Sequence, residues 1–428
     1  MGCCINSTTY VVTRYPFVIV ECVSATVEVG IFTRKLLSFS TLMNGSEKEE
    51  QPLLARSAGR AKSKYVLIIH GGAGTMSRKK STDAQLKAYH DALCVALKAG
   101  HEVLKSEGEA MDAAVAAVVA LEDNILFNAG KGAVFNTAGK NELEASIMLS
   151  KPPASHPYVP SSRRGFGLSL LTHIRNPSRL AQELYLTPSA APHVFLSGNN
   201  AENIAESLGM TLVDPSYFFS EARWKEHRRG LGLPDMPYPP GSHGSGGEIE
   251  ENSSPESLGS LDMYSTGTVG AVALDVRGCI CAVTSTGGRT NKLVGRIGDT
   301  PVMSAGYWAE EWEIKSGWLK KAWNTFTGKE NPSKMAVGIS GTGDGDYFIR
   351  QATASTIARR VQLLGEPIAT AAQVAVETLR RDGGIGGVIV LDIEGNVATP
   401  LNCEGMYRGL IREDGVAKTA IFEDEVLE

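Results

Sequence analysis

Thr268 is the residue whose surroundings most favour nucleophilic chemistry. It follows a long stretch rich in Pro, Gly and Ser and opens an apolar, strand-like run that ends at Asp275. A threonine hydroxyl is a poor nucleophile unless a base lies beside it, and cleavage of the preceding peptide bond creates one, the threonine's own α-amine. That amine titrates near pH ~8, which suits a general base. A single cut after Gly267 would therefore activate this threonine.

Further hydroxyls are expected next to Thr268 across a predicted hairpin. Residues 275–278, Asp-Val-Arg-Gly, are typical of a tight turn between two antiparallel strands. If Asp275 faces Gly278, Thr268 lies opposite Ser285, and neighbouring strands are about 4.8 Å apart. This register brings three hydroxyl groups near the proposed nucleophile, those of Thr284, Ser285 and Thr286.

Arg296 and Asp299 follow closely and could grip a zwitterion. An arginine binds a carboxylate as a bidentate fork, whereas an aspartate accepts hydrogen bonds from an ammonium group. The pair therefore matches the α-carboxylate and the α-amine of an amino acid.

Residues 340–345, Ser-Gly-Thr-Gly-Asp-Gly, have the small side chains and the hydroxyl needed to stabilise a developing oxyanion. We expect Thr342 and Gly343 to be the donors. A phosphate-binding loop is the alternative, but no lysine is placed as in a nucleotide-binding loop.

These segments together resemble a known family, the plant-type asparaginases, also called isoaspartyl aminopeptidases, of the N-terminal-nucleophile hydrolase superfamily. The resemblance extends over most of the chain, to Asn402-Cys-Glu-Gly-Met-Tyr407. The motifs that carry it occur in the family's order: His70-Gly-Gly-Ala-Gly74, Phe127-Asn-Ala-Gly-Lys-Gly132, Thr268-Val-Gly-Ala271, Thr284-Ser-Thr-Gly-Gly-Arg-Thr-Asn-Lys292 and Gly295-Arg-Ile-Gly-Asp299.

The resemblance implies one α+β domain, a four-layer αββα sandwich, made by a precursor that cuts itself between Gly267 and Thr268. The α subunit would comprise residues 66–267, including a flexible linker at 230–267, and the β subunit residues 268–428. The mature enzyme would hydrolyse L-asparagine or β-aspartyl dipeptides through an acyl-enzyme and release aspartate. The family also implies a dimer of such αβ units.

The same resemblance assigns roles to individual residues. Thr268 matches the nucleophile, Thr286 the threonine that orients it, and Thr342 with Gly343 the oxyanion site. Substrate contacts are expected from Arg296, Asp299, Gly288 and Gly345, and a flexible glycine loop from His70, Gly71 and Gly72. No cofactor is expected apart from a structural sodium or potassium ion, held by backbone carbonyls of a loop that contains Leu121, Glu122, Asn124, Phe127, Ala129 and Lys131.

Three segments depart from the family's pattern. Residues 144–150, Glu-Ala-Ser-Ile-Met-Leu-Ser, stand where relatives usually carry Asp and then a Met-Asp-Gly turn, and Gly341 replaces a bulkier residue. Residues 309–334 are interpreted as an insertion, with Trp312, Trp318 and Trp323 inside it and Trp308 just before it. Aromatic and basic residues together occur in membrane-surface helices, but we favour a helix packed over the rim of the site.

Helical spacing of apolar residues predicts helices with Ser81 or Thr82 as the first N-cap, at residues 81–106, 110–122, 178–185, 200–208, 218–229, 346–363 and 367–381. The run that ends at Asp392 and is followed by Gly395 predicts a second hairpin. With 428 residues, 43% of them hydrophobic, the chain can bury a sizeable core.

Composition excludes several functional classes. A net charge of −5 without a basic block argues against nucleic acid, and we expect a small-molecule substrate. The seven cysteines form no metal-ligand grouping, and Cys279 and Cys281 are predicted to point to the same side of a strand as reduced core thiols. Residues 1–65 lie outside the resemblance, contain no span of transmembrane length or signal-peptide core, and are expected to be disordered; we therefore predict a cytoplasmic protein.

Two other functions stay open at this point. A threonine aspartase-type endopeptidase of the same superfamily would carry a glutamine at position 299 instead of Asp299. A non-processed scaffold would keep the fold without ever exposing Thr268 as a chain terminus. Taken singly, each proposed site residue is also an ordinary strand, turn or surface residue; the order and spacing of the motifs favour the hydrolase.

Overall fold

The computed structural model of the protein describes residues 65–74, 76–234, 236, 267–314, 327 and 333–427. The predicted extension lies outside the described residues apart from Tyr65. Most of the predicted linker and the central part of the predicted insertion, including Trp318 and Trp323, also lie outside them.

The described strands form two sheets. In chain order the strands are β1 (Val66–Gly74), β2 (Leu143–Leu149), β3 (Gly165–Leu171), β4 (Phe195–Ser197), β5 (Val269–Leu274), β6 (Ile280–Thr286), β7 (Tyr307–Glu313), β8 (Lys334–Gly343), β9 (Gly386–Asp392), β10 (Val397–Ala398), β11 (Gly405–Arg412) and β12 (Lys418–Phe422). The large sheet has the order β12-β11-β1-β5-β6-β2-β3-β4 and the small sheet the order β10-β9-β8-β7. The strands pair antiparallel except for β3 with β4.

The described helices, except the one at Glu221–Gly230, contribute residues to the apolar clusters on the outer faces of the two sheets. The helices are α1 (Asp83–Lys105), α2 (Ala110–Glu122), α3 (Pro177–Leu186), α4 (Gly198–Ser207), α5 (Glu221–Gly230), α6 (Gly345–Gln351), α7 (Thr353–Leu364) and α8 (Ile368–Arg381). Thr82 caps α1, and its hydroxyl and the side chain of Gln85 form a reciprocal capping box. None of these described helices is long and apolar enough to cross a membrane.

Two helix predictions need correction. The helix predicted at 346–363 is two helices, because Ala352 adopts a left-handed conformation with φ of 48° between α6 and α7. The helix predicted from residue 218 begins at Glu221, because Pro215–Phe218 forms a separate short 3-10 turn. Helical periodicity located both segments, but it does not detect a single left-handed residue.

Three apolar cores separate four layers. Leu93, Leu97 and Val118 of α1 and α2 pack against the outer face of the large sheet. Residues such as Val272 and Ile389 fill the space between the sheets, while α7 and α8 cover the outer face of the small sheet. The predicted α+β class and αββα sandwich are confirmed.

The register of the β5–β6 hairpin differs by one residue from the prediction. Val269 pairs with Ser285, and Leu274 pairs with Ile280. The predicted register was wrong because the turn contains one residue more than expected. The N–H of Asp275 donates to the carbonyl oxygen of Cys279 at 3.1 Å, and Gly278 is the extra residue, in a left-handed conformation with φ of 70°. Thr268, the residue before β5, therefore lies opposite Thr286 and not opposite Ser285.

The predicted insertion is also shorter than residues 309–334. Residues up to Glu313 belong to β7, and Lys334 begins β8, so the two strands pair across the gap from Tyr307–Ser340 to Glu313–Lys334. The chain between them leaves the sheet after Glu313 and returns to it at Lys334, the first residue of β8. Thr342 is near the other end of β8. That separation is about 25 Å at ~3.3 Å per residue. The described ends of the insertion are therefore at the end of β7 and β8 that lies away from Thr342, and the helix that we predicted over the rim of the site lies outside the described residues.

Gly100 provides a test of how closely the outer layer packs. A Cβ atom at this position of α1 would lie 2.6 Å from the backbone oxygen of Ala113 in α2 and 2.5 Å from Leu67 of β1. We expect Gly100→Ala to lower the free energy of unfolding by about 1–3 kcal/mol, because overpacking outweighs the helix propensity that alanine adds. Chemical denaturation measures the effect, and Lys98→Ala on the exposed face of α1 is the control. Unchanged stability of Gly100→Ala would show that the two helices can move apart freely.

Candidate functional site

The predicted site residues meet in a cavity of about 250 Å³ at one end of the two sheets. It lies where β5 begins and where β1, β6 and β8 end. The predicted residues among its walls are Gly267, Thr268, Thr286, Gly288, Arg296, Asp299, Gly343 and Gly345. Strand alternation explains the convergence, because side chains two residues apart on a strand face the same side.

Thr268 is held by groups from neighbouring strands. Its backbone N–H donates to the hydroxyl of Thr342 at 3.0 Å, and its carbonyl accepts from Nδ1 of His70 at 2.9 Å. Its hydroxyl lies 3.5 Å from that of Thr300. The residue is only 6% exposed and lines the cavity. The backbone of the candidate nucleophile is thus fixed on both sides of its side chain.

His70 is neutral and its tautomer follows from its partners. Because a carbonyl can only accept, Nδ1 must carry the proton that it donates to Thr268, and Nε2 accepts from Ser340 at 2.7 Å. Ser340 in turn lies 2.9 Å from the hydroxyl of Thr284. Complete burial lowers the pKa of His70 to about 3, although its hydrogen bond to Thr268 works in the opposite direction. His70 is therefore a fixed hydrogen-bond donor at neutral pH and not a proton carrier.

Gly267 occupies a position that no larger residue could take. A Cβ atom there would lie 2.6 Å from the nitrogen of Ala73 and 2.7 Å from the hydroxyl oxygen of Thr342. The peptide bond between Gly267 and Thr268 therefore lies close to Ala73 of β1 and Thr342 of β8. The hydroxyl of Thr268 is on the residue that follows this bond.

Thr342 is suited to stabilise a developing negative charge. Its hydroxyl oxygen accepts from the N–H groups of Thr268 and of Ala73, at 3.0 and 3.1 Å. With both lone pairs engaged, its own proton is available for an acceptor. Gly343 follows at the end of β8 with φ of 142°, a conformation that turns its backbone into the wall of the cavity.

Arg296 and Asp299 lie on the long segment between β6 and β7. Arg296 donates to Asp346 at 3.0 Å, but the carboxylate of Asp346 is 69% exposed. Oδ2 of Asp299 is buried and has no hydrogen-bond partner among the described residues. Burial raises the pKa of Asp299 to about 7, and the charges of Glu144 and Asp346 add to the effect whereas Arg296 opposes it. A buried acceptor without a donor is costly, and a cationic ligand would relieve that cost.

Thr286 and Gly288 form the wall on the other side of Thr268. The hydroxyl of Thr286 accepts from the N–H of Gly288 at 3.0 Å. With the observed register, Thr286 and Thr268 face the same side of the sheet. The hydroxyl contact that the structure shows for Thr268 is, however, with Thr300.

Several residues of the cavity were missed by the sequence reasoning. Thr300 directly follows Asp299, so its proximity could have been inferred. Glu144 pairs with Thr286 across β2 and β6, a contact between distant parts of the sequence that no local pattern reveals. The remaining missed wall residues include Glu226 of α5, Arg289 and Thr290.

The glycine-rich loop after α2 packs tightly around its own carbonyl groups. Cβ atoms at Gly130 and Gly132 would collide with the backbone oxygens of Glu122 and Phe127, respectively. The side chain of Glu122 is fully buried and accepts from the backbone and the hydroxyl of Ser178, each at 2.9 Å. Burial raises its pKa to about 7. The backbone oxygens of Leu121, Asn124, Phe127 and Ala129 accept hydrogen bonds from N–H groups within the segment. Carbonyl oxygen is also the donor type that binds potassium in proteins.

The fold and the site can be compared with known proteins. The profile of the family described as "Asparaginase" matches residues 63–313 and 332–421, and the gap coincides with the chain between β7 and β8. An isoaspartyl peptidase of Escherichia coli (strain K12) is 34% identical over 367 residues, 85% of this chain and 97% of the relative. An isoaspartyl peptidase of Salmonella typhimurium is 34% identical over 363 residues, 85% of this chain and 100% of the relative. The isoaspartyl peptidase/L-asparaginase of Xenopus laevis is 30% identical over 352 residues, 82% and 93% of the two chains.

The family match spans β1, β5, β6 and β8, the strands whose ends form the cavity. The chain belongs to the asparaginase family and is a hydrolase.

Proposed function

We propose that this hydrolase cuts itself between Gly267 and Thr268 and then cleaves L-asparagine or β-aspartyl dipeptides with Thr268 as the nucleophile. The observation that carries the proposal is Oδ2 of Asp299, which is buried and has no hydrogen-bond partner among the described residues. Asp299 lines the same cavity as Thr268 and Arg296. A cation acceptor, an anion donor and a nucleophile at such close range match one small zwitterion with a side-chain carbonyl. The names of the relatives agree with this substrate class.

Self-cleavage would begin with attack by the Thr268 hydroxyl on the carbonyl carbon of Gly267. The C–N bond then breaks, the nitrogen leaves as an amine with the hydroxyl proton, and an ester joins the two residues. Water hydrolyses the ester, which regenerates the hydroxyl and leaves a carboxylate on Gly267. The hydrogen bond from the Thr268 nitrogen to Thr342 holds the leaving group in place throughout.

Turnover would use the new α-amine of Thr268 as the base. It takes the hydroxyl proton while the oxygen attacks the substrate's side-chain carbonyl, and Thr342 donates its free proton to the oxyanion together with the N–H of Gly343. The proton returns to the departing ammonia or amino group. Water then hydrolyses the aspartyl ester, with Arg296 and Asp299 holding the two α-substituents at both steps.

We further propose that the loop of residues 121–131 holds a sodium or potassium ion through backbone carbonyls. The tight packing of Gly130 and Gly132 against carbonyl oxygens supports it. The ion would stiffen the segment that supports Asn128, whose side chain donates to Gly288 in the cavity wall at 2.7 Å.

A reducing compartment is also proposed, and the cytoplasm is the one we favour. The described cysteines at positions 94, 279, 281 and 403 are all free, and Cys279 and Cys281 are buried in the core beneath the helices. Burial raises the pKa of Cys279 to about 12, which keeps its thiol protonated and unreactive.

Replacing the nucleophile tests self-cleavage. The wild-type chain should yield a fragment that begins with Thr268, whereas Thr268→Ala should stay whole and inactive because no hydroxyl remains to attack Gly267. Thr268→Ser, which keeps a hydroxyl, is the matched control and should still be cut. Intact mass spectrometry with N-terminal sequencing measures the outcome. A cleaved and active Thr268→Ala would refute the mechanism.

The ionisation of Asp299 predicts a pH dependence. Its pKa of about 7 means that the carboxylate is protonated below that pH and cannot hold an ammonium group, so kcat/KM should fall as the pH decreases through 7. Asp299→Asn should still mature, should raise KM about 100-fold through loss of a charge-assisted contact, and should lack this step. The free Thr268 amine, with a pKa near ~8, should add a separate step that persists in the variant.

The matched control for this experiment is Asp346→Asn. Asp346 is an exposed carboxylate that pairs with Arg296 but is not among the residues that line the cavity, so its removal should change KM only slightly. Its charge adds to the rise of the Asp299 pKa, so the step at pH 7 should move to a lower pH in this variant but should not disappear. Steady-state kinetics on asparagine from pH 5 to about 9 gives both profiles. A profile for Asp299→Asn that superimposes on the wild type would rule out Asp299 as the ammonium site.

The proposed cation site predicts ion-specific stability. Thermal unfolding should shift upward by a few degrees as sodium or potassium chloride rises to about 100 times the Kd, because an ion that binds only the folded state stabilises it by ~2.7 kcal/mol at that concentration. Choline chloride at equal ionic strength is the control. The shift should survive Lys131→Ala, which leaves the carbonyl groups intact. Equal melting temperatures in all three salts would contradict the site.

A further inference from the structure

Glu144 is a buried carboxylate in the wall of the cavity that the proposed reaction does not use. It lies on the inner face of β2 and pairs directly with Thr286 of β6. Since Thr286 faces the same side as Thr268, the three residues form a row across adjacent strands. The side chain of Glu144 is fully buried, yet it is among the cavity's lining residues.

Both oxygens of Glu144 hold the segment that carries Arg296 and Asp299. The N–H of Gly298, which lies between those two residues, donates to Oε1 and Oε2 at 3.1 and 3.3 Å. A Cβ atom added at Gly298 would lie 2.7 Å from Nη1 of Arg296 and 3.2 Å from Oε2 of Glu144. The carboxylate is therefore a near neighbour of the guanidinium that faces the substrate.

Lys292 completes the contact. Its ammonium group, with a side chain only 1% exposed, lies 3.4 Å from Oε1 of Glu144 and donates to the backbone oxygen of Glu142 at 2.8 Å. The carboxylate of Glu142 accepts from the N–H of Gly295 at 3.1 and 3.2 Å. Glu142, just before β2, and Glu144 of β2 thus bind the segment at Lys292, Gly295 and Gly298.

The segment needs such a grip, because residues 287–306 connect β6 to β7 without a helix or strand of their own. A connection of this length is ordinarily mobile. The two substrate contacts at Arg296 and Asp299 would then lose their fixed positions, and binding would require the segment to be ordered each time.

We propose that Glu144 is a positioning residue that keeps Arg296 and Asp299, the proposed substrate contacts, oriented toward the cavity. Its negative charge also acts on the carboxyl group of Asp299. The inference rests on the proposed function, because it assigns Arg296 and Asp299 to the two α-substituents of the substrate. Glu144 itself touches neither the nucleophile nor, in this assignment, the reacting carbonyl.

The electrostatic part follows from the groups around Asp299. Arg296, Glu144 and Asp346 are the charged groups that act on its carboxyl, and Lys292 lies behind Glu144. The negative charge of Glu144 favours the protonated form of Asp299 and raises its pKa. Without that charge, Asp299 would stay ionised to a lower pH. The fall of kcat/KM on the acid side of the pH profile, called the acid limb below, would therefore occur at a lower pH.

Two substitutions separate the charge of Glu144 from its reach. Glu144→Gln keeps the length and one acceptor for Gly298 but removes the charge. We expect it to mature normally, to raise KM for asparagine at least about 10-fold with kcat changed less than about 3-fold, and to move the acid limb to lower pH. Glu144→Asp keeps the charge and shortens the side chain, so its KM should rise while its acid limb stays at the wild-type position.

Glu202→Gln is the matched control. Glu202 is a buried carboxylate that also accepts from backbone N–H groups, those of Thr172 and His173, but it does not line the cavity. This variant should lower the melting temperature without changing KM or the pH profile. Appearance of the fragment that begins with Thr268 serves as the folding test for every variant, and calorimetric titration of the cleaved protein with L-aspartate gives binding without turnover.

The outcomes distinguish the possible failures. Wild-type affinity for aspartate together with a wild-type acid limb in Glu144→Gln would overturn the inference, and so would a loss of kcat at unchanged KM. If Glu144→Gln does not fold, the KM and acid limb of Glu144→Asp decide, and a wild-type KM there would overturn it. A wild-type protein that matures but hydrolyses neither asparagine nor β-aspartyl dipeptides would refute the proposed function itself.

Discussion

The two hydrogen bonds to the backbone of Thr268 are the constraint on which the rest of the site depends. One comes from His70 of β1 and the other is made to Thr342 of β8, so the residue is anchored to both sheets. The spacing between the sheets, set by the apolar core between them, therefore also sets the position of the proposed nucleophile. Catalytic geometry in this protein is a property of layer packing, since side chains on rigid strands keep their positions better than side chains on loops.

The site also concentrates groups that oppose folding. His70 is buried without charge, Asp299 has an oxygen without a partner, and Glu144 with Lys292 forms a buried ion pair. Buried pairs of this kind contribute little net stability, because the loss of hydration offsets their attraction. The large apolar cores on both outer faces compensate, and the polar groups gather at one end of the strands where the sheets open.

The layered fold, through the family resemblance, and eight of the eighteen residues that line the cavity could be predicted from the sequence, because the motifs carry the chemistry in short segments. Helix α2 was predicted at its observed bounds, and Thr268, Arg296, Asp299 and Gly343 line one cavity. The register of β5 and β6 could not be predicted from turn residues alone, since one left-handed glycine shifts every pair. The length of the insertion was overestimated because strand β7 contains Trp308 and Trp312, which are of the same residue type as Trp318 and Trp323 farther along the chain.

Glu144 marks the deeper limit of reasoning from sequence. Its position was noted as a departure, but its contacts with Gly298 and Lys292 join segments that are about 150 residues apart, as the separation of 154 and 148 positions shows. Local patterns cannot reveal which segments the sheet order brings together. Sheet topology alone makes a strand residue near the start of the domain part of a cavity built mostly from its second half.

The close fit of Gly267 has a consequence for the timing of activity. The residue lines the same cavity that a substrate would enter, so the uncut chain is its own occupant of that space. In the proposed mechanism, a newly folded molecule is thus a zymogen whose inhibitory segment is covalently attached. The carboxyl end left at Gly267 would have to withdraw after the cut, so the onset of activity would depend on two successive events, bond cleavage and departure of that end from the cavity.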